Sequence, residues 1–258
     1  IWGTSSSWTL TALPLFVWMG EILFRTRLSE NLFKGLSPWM QKLPGGLIHV
    51  NVVGCALFAA ISGSSAATVA TVGKMSIPEL RKRNYPEKIL LGSLAGSGTL
   101  GLLIPPSIIL IIYGVAVQES IAKLFIAGIL PGIMIALIFM SYVIFWSLIN
   151  KKQMPKIVEE YSIFEKIKRS KQLLPVIILI SAVIGSIYTG IATATEAASL
   201  GVVGALILSY FQKSLTLETF KTSLLGATKT SCMIAFILAG STFLSLAMGF
   251  TGLPRNLA

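Results

Sequence analysis

The sequence predicts an all-α integral membrane protein of polytopic helices that includes a re-entrant helical hairpin and a discontinuous helix. Three observations carry that class. In composition, 54% of the 258 residues are hydrophobic and only 12% are charged, with a mean hydropathy of +0.80, which suits a chain embedded in lipid better than a soluble domain with one anchor. The stretch from Leu43 to Gly73 has no Asp, Glu, Lys or Arg, yet as one straight helix it would run about 46 Å at 1.5 Å per residue, well past a hydrocarbon core of roughly 30 Å. The stretch from Ile89 to Gln118 is equally free of charge but is punctuated by glycines and by Pro105-Pro106.

Taken in order, helix 1 is predicted over residues 8–24. The run 28–42 sets Leu28, Leu32, Phe33, Leu36, Trp39 and Met40 among polar residues, the pattern of an interfacial helix along the cytoplasmic surface that leads into the hairpin. The hairpin is placed at 45–78. Lys42 precedes it and Lys74, Arg81, Lys82 and Arg83 follow it, so the positive-inside bias puts both of its ends on the cytoplasmic face. An interrupted segment covers 89–118 and a further helix 124–149. The basic loop 151–171 holds Lys151, Lys152, Lys156, Lys166, Lys168, Arg169 and Lys171, and spans at 173–190, 196–211 and 230–253 follow. With 151–171 inside, alternation puts 26–42, 74–88 and 212–229 on the same side, each with several Lys or Arg. That parity holds only if 45–78 enters and returns. The formal net charge of +11 therefore reflects orientation, and no nucleic-acid partner is expected.

A re-entrant hairpin exposes unwound backbone at mid-membrane, which is tolerated only where protein buries it or where it lines a cavity. Its centre is Ser62-Gly63-Ser64-Ser65-Ala66-Ala67. Small polar residues in succession there face all sides of a helix, too many directions for one packing seam, so Ser62, Gly63, Ser64 and Ser65 read as a binding tip. In the interrupted segment Gly92, Gly96, Gly98 and Gly101 loosen the first half, and Leu103-Ile104-Pro105-Pro106-Ser107 breaks it, because neither proline donates a backbone hydrogen bond. Such a break leaves carbonyl oxygens able to ligate hard cations such as Na⁺, and helix N-termini able to hold anionic groups. Gly92 and Gly96, four apart, also suit close helix packing. Gly96-Ser97-Gly98-Thr99-Leu100-Gly101 matches G-x-G-x-x-G literally, but without the preceding strand or the acidic residue a dinucleotide site needs.

The remaining ionisable groups read structurally. Glu196 stands where a first helical turn favours a carboxylate, Glu21 is placed to pair with Arg25, His49 is a packing contact, and Lys123 lies near a helix start. Cys55 and Cys232 fit neither a metal site nor a disulfide framework. With no deep Lys or Arg, an anionic substrate would be held by bound Na⁺, hydroxyls and helix N-termini. An ATP-driven permease would need a coupling helix, and a membrane enzyme would need nucleophile, base or metal ligands; neither pattern is present. No enzymatic activity and no cofactor are expected.

Four motifs in order, Ala59-Ala60-Ile61-Ser62-Gly63-Ser64-Ser65-Ala66-Ala67, Gly101-Leu102-Leu103-Ile104-Pro105-Pro106-Ser107, Pro131-Gly132 and Thr193-Ala194-Thr195-Glu196-Ala197-Ala198, make the chain resemble the large membrane subunit (DctM-like) of tripartite ATP-independent periplasmic (TRAP) transporters over nearly its whole length. Ala194 stands where the family more usually has a proline. The resemblance implies a sodium-driven, elevator-type secondary transporter, in the bacterial or archaeal cytoplasmic membrane, for organic anions such as C4-dicarboxylates, other carboxylates or sialic acids. It implies as partners a small four-helix membrane subunit (DctQ-like) and a periplasmic solute-binding protein. A related elevator-type Na⁺/carboxylate transporter acting without a binding protein is the alternative. Carried onto this chain, Ser62, Gly63, Ser64, Ser65, Gly96, Thr99, Pro105, Pro106 and Ser107 would form half of the substrate and ion site, with Na⁺ at Ser62, Gly63, Ser64, Gly96 and Thr99. Residues 1–44 would be a scaffold helix plus a surface helix, 45–118 a transport-domain half, 119–172 a crossing helix and basic cytoplasmic loop, and 173–258 the start of a second inverted repeat. A trace of inversion lies in Thr26-Arg27-Leu28-Ser29-Glu30-Asn31-Leu32 against Thr251-Gly252-Leu253-Pro254-Arg255-Asn256-Leu257. Opening on Ile1 and ending at Ala258 after an apolar run, the chain reads as an internal piece of a longer one.

Overall fold

The computed structural model describes residues 8–26, 28–155, 161–171 and 173–251, and every regular element among them is helical. Three of the helices, Ile121–Ile149, Ala194–Phe211 and Leu217–Thr251, are long and apolar enough to cross a membrane, and Ala12–Phe24, Gly46–Ser62 and Ile108–Val117 are shorter apolar helices.

Helix α1 (Ala12–Phe24) follows a 3-10 turn at Trp8–Thr11 and is apolar nearly all round, as a helix with neighbours on every side must be. It packs most extensively against α10 (Ala194–Phe211) and α11 (Leu217–Thr251). Met19 of α1 fills the space opposite Gly201, where an added Cβ would stand 2.5 Å from the Met19 sulfur. The Trp18 indole N–H donates to Ser223 Oγ at 3.3 Å, and its ring meets Phe220 edge-on at 5.6 Å. Arg25 pairs with Glu21 at 3.0 Å, one turn apart, as the spacing suggests, and the Glu21 carboxylate lies over Gly226, with Oε2 2.7 Å from where a Cβ would be. These contacts explain why α11 begins at Leu217 although a basic loop over 212–229 and a span over 230–253 were expected: Phe220, Ser223 and Ala227 recur at helical spacing and are covered by α1.

Helix α2 (Leu28–Met40) is amphipathic as expected, but Leu32, Phe33 and Leu36 are buried by protein, and Gly35 lies against Leu173. The hairpin follows: α3 (His49–Ser62) and α4 (Ser65–Lys82) turn back on each other through Gly63 and Ser64. The second arm extends past the predicted end at residue 78, through Pro78, because Ser76 and Leu80 on either side of it are buried and hold the turn in place. His49 is fully buried with Nε2 2.8 Å from the Pro44 carbonyl, a packing role. The interrupted segment forms α5 (Glu87–Gly98), a 3-10 turn at Thr99–Leu102, and α6 (Ile108–Val117). Helix α7 (Ile121–Ile149) contains Pro131 and lies against the break. Within the predicted basic loop a short helix α8 (Ile163–Ser170) forms, followed by α9 (Leu174–Tyr188).

Thr193 and Glu196 cap α10 reciprocally: the Thr193 backbone N–H donates to Glu196 Oε2 at 2.8 Å, and the Glu196 N–H donates to Thr193 Oγ1 at 3.3 Å. This capping box satisfies helix-end donors at the start of α10, where Ala194 is the first helical residue. Thr193→Ala is expected to lower stability by about 1 kcal/mol, read as a lower thermal midpoint of the solubilised protein, while Thr193→Ser retains most of it. The segment 252–257, and with it nearly all of the second member of the repeat trace, lies outside the described residues.

Candidate functional site

The turn between the hairpin arms is built by two consecutive residues with different backbone needs. Gly63 takes the left-handed conformation, φ +58°, and its N–H closes α3 by donating to the Ala59 carbonyl at 3.0 Å. Ser64 is extended and caps α4, its hydroxyl accepting from the Ala67 N–H at 3.4 Å. Ser62 and Thr68 bring their hydroxyls to 3.0 Å, and Thr68 Oγ1 donates to the Ser64 carbonyl at 2.8 Å. The hydroxyl of Ser65, at the start of α4, is buried with no hydrogen-bond partner among the described protein atoms.

The broken helix meets this turn backbone to backbone. The Ile108 N–H, the first of α6, donates to the Gly63 carbonyl at 3.2 Å. A Cβ on Gly63 would stand 2.5 Å from the Pro106 carbonyl oxygen and 3.1 Å from Ile108 N. A Cβ on Gly101 would stand 2.9 Å from Ser65 N and 3.0 Å from the Ser64 carbonyl carbon, and one on Gly98 would overlap Val69. Ser107, fully buried, ties the return to the preceding turn by donating its hydroxyl to the Leu102 carbonyl at 2.7 Å. Pro105 and Pro106 are buried in the turn between, joined by a cis peptide bond. From behind, Gly20 of α1 lets the chain pass within 2.9 Å of Ser62 Cα, counted from its would-be Cβ. On α7, a Cβ on Gly128 would stand 2.6 Å from the Leu103 carbonyl oxygen, and one on Gly132 2.9 Å from Ile104 Cγ1.

Of the residues singled out in the sequence, Ser62, Gly63, Ser64 and Ser65 thus come together with Pro106, Ser107 and the turn that holds Pro105. Gly96 is used for packing, with Phe139 Cε1 3.3 Å from its would-be Cβ. Thr99 is exposed, and its hydroxyl donates to the Gly96 carbonyl at 2.7 Å. Gly92, expected at a packing seam, has nothing within 4 Å of its would-be Cβ; it lines a cavity of about 330 Å³ with Ser93, Ile138, Phe139, Tyr142 and Val143. Sequence reasoning missed the part played by Gly20, Gly98, Gly101, Gly128 and Thr68 at the junction. It also missed Asn51, whose buried Nδ2 donates to the Leu90 carbonyl at 3.2 Å and to Ser93 Oγ at 3.0 Å, tying the first hairpin arm to α5. The glycines were legible only as loosened helix, since nothing local in the sequence says which ones another backbone touches.

Two helix N-termini, those of α4 at Ser65 and α6 at Ile108, therefore start at one junction, beside the C-terminal end of α3. N-termini favour negative charge and unwound carbonyls favour a hard cation. Among the described residues no group of three or more His, Cys, Asp and Glu could hold a metal ion, so cation ligands here would be carbonyl and hydroxyl oxygens.

Over residues 1–258 the chain matches the family described as the DctM component of the tripartite ATP-independent periplasmic transporter. It is 33% identical over 256 residues to the C4-dicarboxylate TRAP transporter large permease protein DctM of Pseudomonas aeruginosa, a match that takes in 99% of this chain and 59% of that protein. It is 32% identical over 259 residues to the sialic acid TRAP transporter large permease protein SiaM of Vibrio cholerae, covering 99% of this chain and 60% of the relative. With the isethionate TRAP transporter permease protein DctMQ of Oleidesulfovibrio alaskensis it shares 32% identity over 256 residues, 98% of this chain and 40% of the relative. The chain thus spans 59% of the length of the Pseudomonas protein it matches. Its all-helical membrane architecture, the ordered motifs and the family match along its whole length agree: this chain belongs to the DctM family, the large permease component of TRAP transporters.

Proposed function

We propose that the chain is part of a sodium-coupled secondary transporter that imports small organic anions, C4-dicarboxylates, other carboxylates or sialic acid, delivered by a periplasmic binding protein and with a small DctQ-like membrane subunit in the assembly. The observation that carries this reading is the backbone docking of the hairpin turn onto the broken helix, which gathers two helix N-termini and unpaired hydroxyl chemistry at one junction. The sequence has no Lys or Arg from Leu43 to Gly73 or from Ile89 to Gln118. An anion held there gains from the helix ends and from bound Na⁺ in place of a basic side chain. If Na⁺ strengthens anion binding, the anion strengthens Na⁺ binding by the same factor, which is the thermodynamic form of coupling. The names of the relatives, with C4-dicarboxylate, sialic acid and isethionate, support the anion class, and the joint name DctMQ supports the small subunit.

In an elevator reading the hairpin with α5 and α6 is the moving half, and α1 with α10 and α11 is the scaffold. Within this scheme Ser62, Gly63, Ser64 and Ser65 hold ion and substrate, and Ser107 and the Pro105-Pro106 turn fix the second helix end; for Gly96 and Thr99 to join in holding Na⁺, the Thr99 hydroxyl has to leave the Gly96 carbonyl to which it donates. The test is uptake into proteoliposomes by the full-length permease with its small subunit and binding protein. Replacing external Na⁺ by choline should reduce uptake to the level of protein-free vesicles, and undiminished uptake in choline would overturn sodium coupling.

A further inference from the structure

Helix α8 (Ile163–Ser170) sits where the sequence suggested only a basic loop. It is a short helix that would fray alone, yet two devices hold it. A capping box joins Ser162 to Glu165, with the Ser162 N–H donating to Glu165 Oε2 at 3.1 Å. At the other end the Trp39 indole N–H of α2 donates to Ser170 Oγ at 2.8 Å, and Lys166 Nζ lies 5.5 Å from the centre of the Trp39 ring.

What α8 presents is an apolar edge. Ile163, Phe164 and Ile167 fall on one side of the helix by their spacing and are 73%, 76% and 49% exposed, with the half-exposed Trp39 beside them. Such a cluster is unfavourable in water. Around it stand cations: Lys166 on one flank, Lys168 on the other, and Lys171 just after the last turn. Arg169 points elsewhere, its guanidinium stacked 4.2 Å above Tyr161 and bonded to the Tyr161 hydroxyl at 3.0 Å. Apolar residues flanked by lysines, next to a tryptophan, are the composition of a helix that lies in the headgroup region of a bilayer. In the chain α8 stands between the membrane helix α7 and the apolar helix α9, on the side that the positive-inside bias makes cytoplasmic.

We propose that α8 is a lipid-recognition element: Ile163, Phe164 and Ile167 insert into the cytoplasmic leaflet and Lys166, Lys168 and Lys171 take the phosphates of anionic phospholipids. The inference rests on the chain being a membrane protein and is independent of what it transports. Through Trp39 the anchored helix fixes α2, which leads into the first arm of the hairpin, so leaflet charge bears on the position of the hairpin base.

The test places spin labels, one at a time, at Phe164 and Arg169 of the full-length permease with Cys232→Ser, in nanodiscs of phosphatidylcholine with phosphatidylglycerol. Of the two cysteines in residues 1–258, Cys55 is buried and Cys232 exposed, so Cys232 is the one of the pair that competes for label; any cysteine of the full-length permease outside these residues is replaced by serine as well. The expected result is a label at 164 that is accessible to oxygen and lies about 5–10 Å below the phosphates, with the label at 169 in water. In nanodiscs of phosphatidylcholine alone, or with Lys168→Gln and Lys171→Gln, the label at 164 should move toward water, with about a fivefold loss of partition per lysine. Equal water accessibility at 164 and 169 overturns the insertion. Shielding of 164 from both oxygen and water-soluble relaxants, the signature of a protein partner, overturns it too. A depth at 164 that ignores lipid charge and both lysine changes overturns the phosphate recognition.

Discussion

Gly63→Leu is expected to abolish uptake by the full-length permease while leaving it inserted and monodisperse, and Gly63→Ala alone to reduce uptake several-fold or more. The left-handed backbone, φ +58°, already costs an L-residue roughly 1–2 kcal/mol, about 5–30-fold in an equilibrium. The steric part is larger. The new Cβ would stand 2.5 Å from the Pro106 carbonyl oxygen and 3.1 Å from Ile108 N, and both are backbone atoms that cannot rotate aside. Relief requires the turn and the broken helix to separate, which breaks the hydrogen bond from Ile108 N–H to the Gly63 carbonyl and moves both helix N-termini off the junction. Ser64→Ala is the milder comparison. It removes a cap worth about 0.5–2 kcal/mol but introduces no clash, so uptake should fall less than in Gly63→Ala. Uptake of radiolabelled substrate, normalised to purified protein, checks the order. Normal uptake by Gly63→Leu would show that transport does not need the close docking of the turn on the broken helix.

Much of this fold is legible because membrane constraints are severe. An uncharged run too long for one crossing has to double back, and Gly63 marks the point where it does; an apolar run with Pro105-Pro106 has to break, and Ser107 ties its return to the Leu102 carbonyl. What was not legible depended on distant partners. The start of α11 at Leu217 is set by α1, since Lys221 and Lys229 make the same residues look like loop when read alone. The apolar residues of α2 suggested a lipid-facing stripe, and only the packing shows Leu32, Phe33 and Leu36 covered by protein. The reverse happened in α8, where a high density of lysine hid three apolar residues at helical spacing. At the junction, Ser62 to Ser65 stood out by composition. Asn51 did not, because one amide in an apolar helix gives no sign that Leu90 and Ser93 lie opposite it.

Gly101→Val and Gly92→Ala should move stability in opposite directions, although the two glycines flank the same Gly-rich run. At Gly101 an added Cβ meets Ser65 N at 2.9 Å, the Ser64 carbonyl carbon at 3.0 Å and its oxygen at 3.2 Å. Overpacking against backbone costs about 1–3 kcal/mol, and the displaced atoms belong to the start of α4, so Gly101→Val should lose both thermal stability and uptake. At Gly92, inside α5 and open for 4 Å around its would-be Cβ, alanine removes the entropy cost of a helical glycine, a gain of about 0.5–1 kcal/mol. Thermal unfolding of the two purified variants, with uptake measured in parallel, separates a glycine kept for close backbone approach from one that is merely tolerated. A loss of stability in Gly92→Ala comparable to that in Gly101→Val would mean that another element of the assembled transporter covers the cavity between α5 and α7, and that the Gly92 face is an interface in its own right.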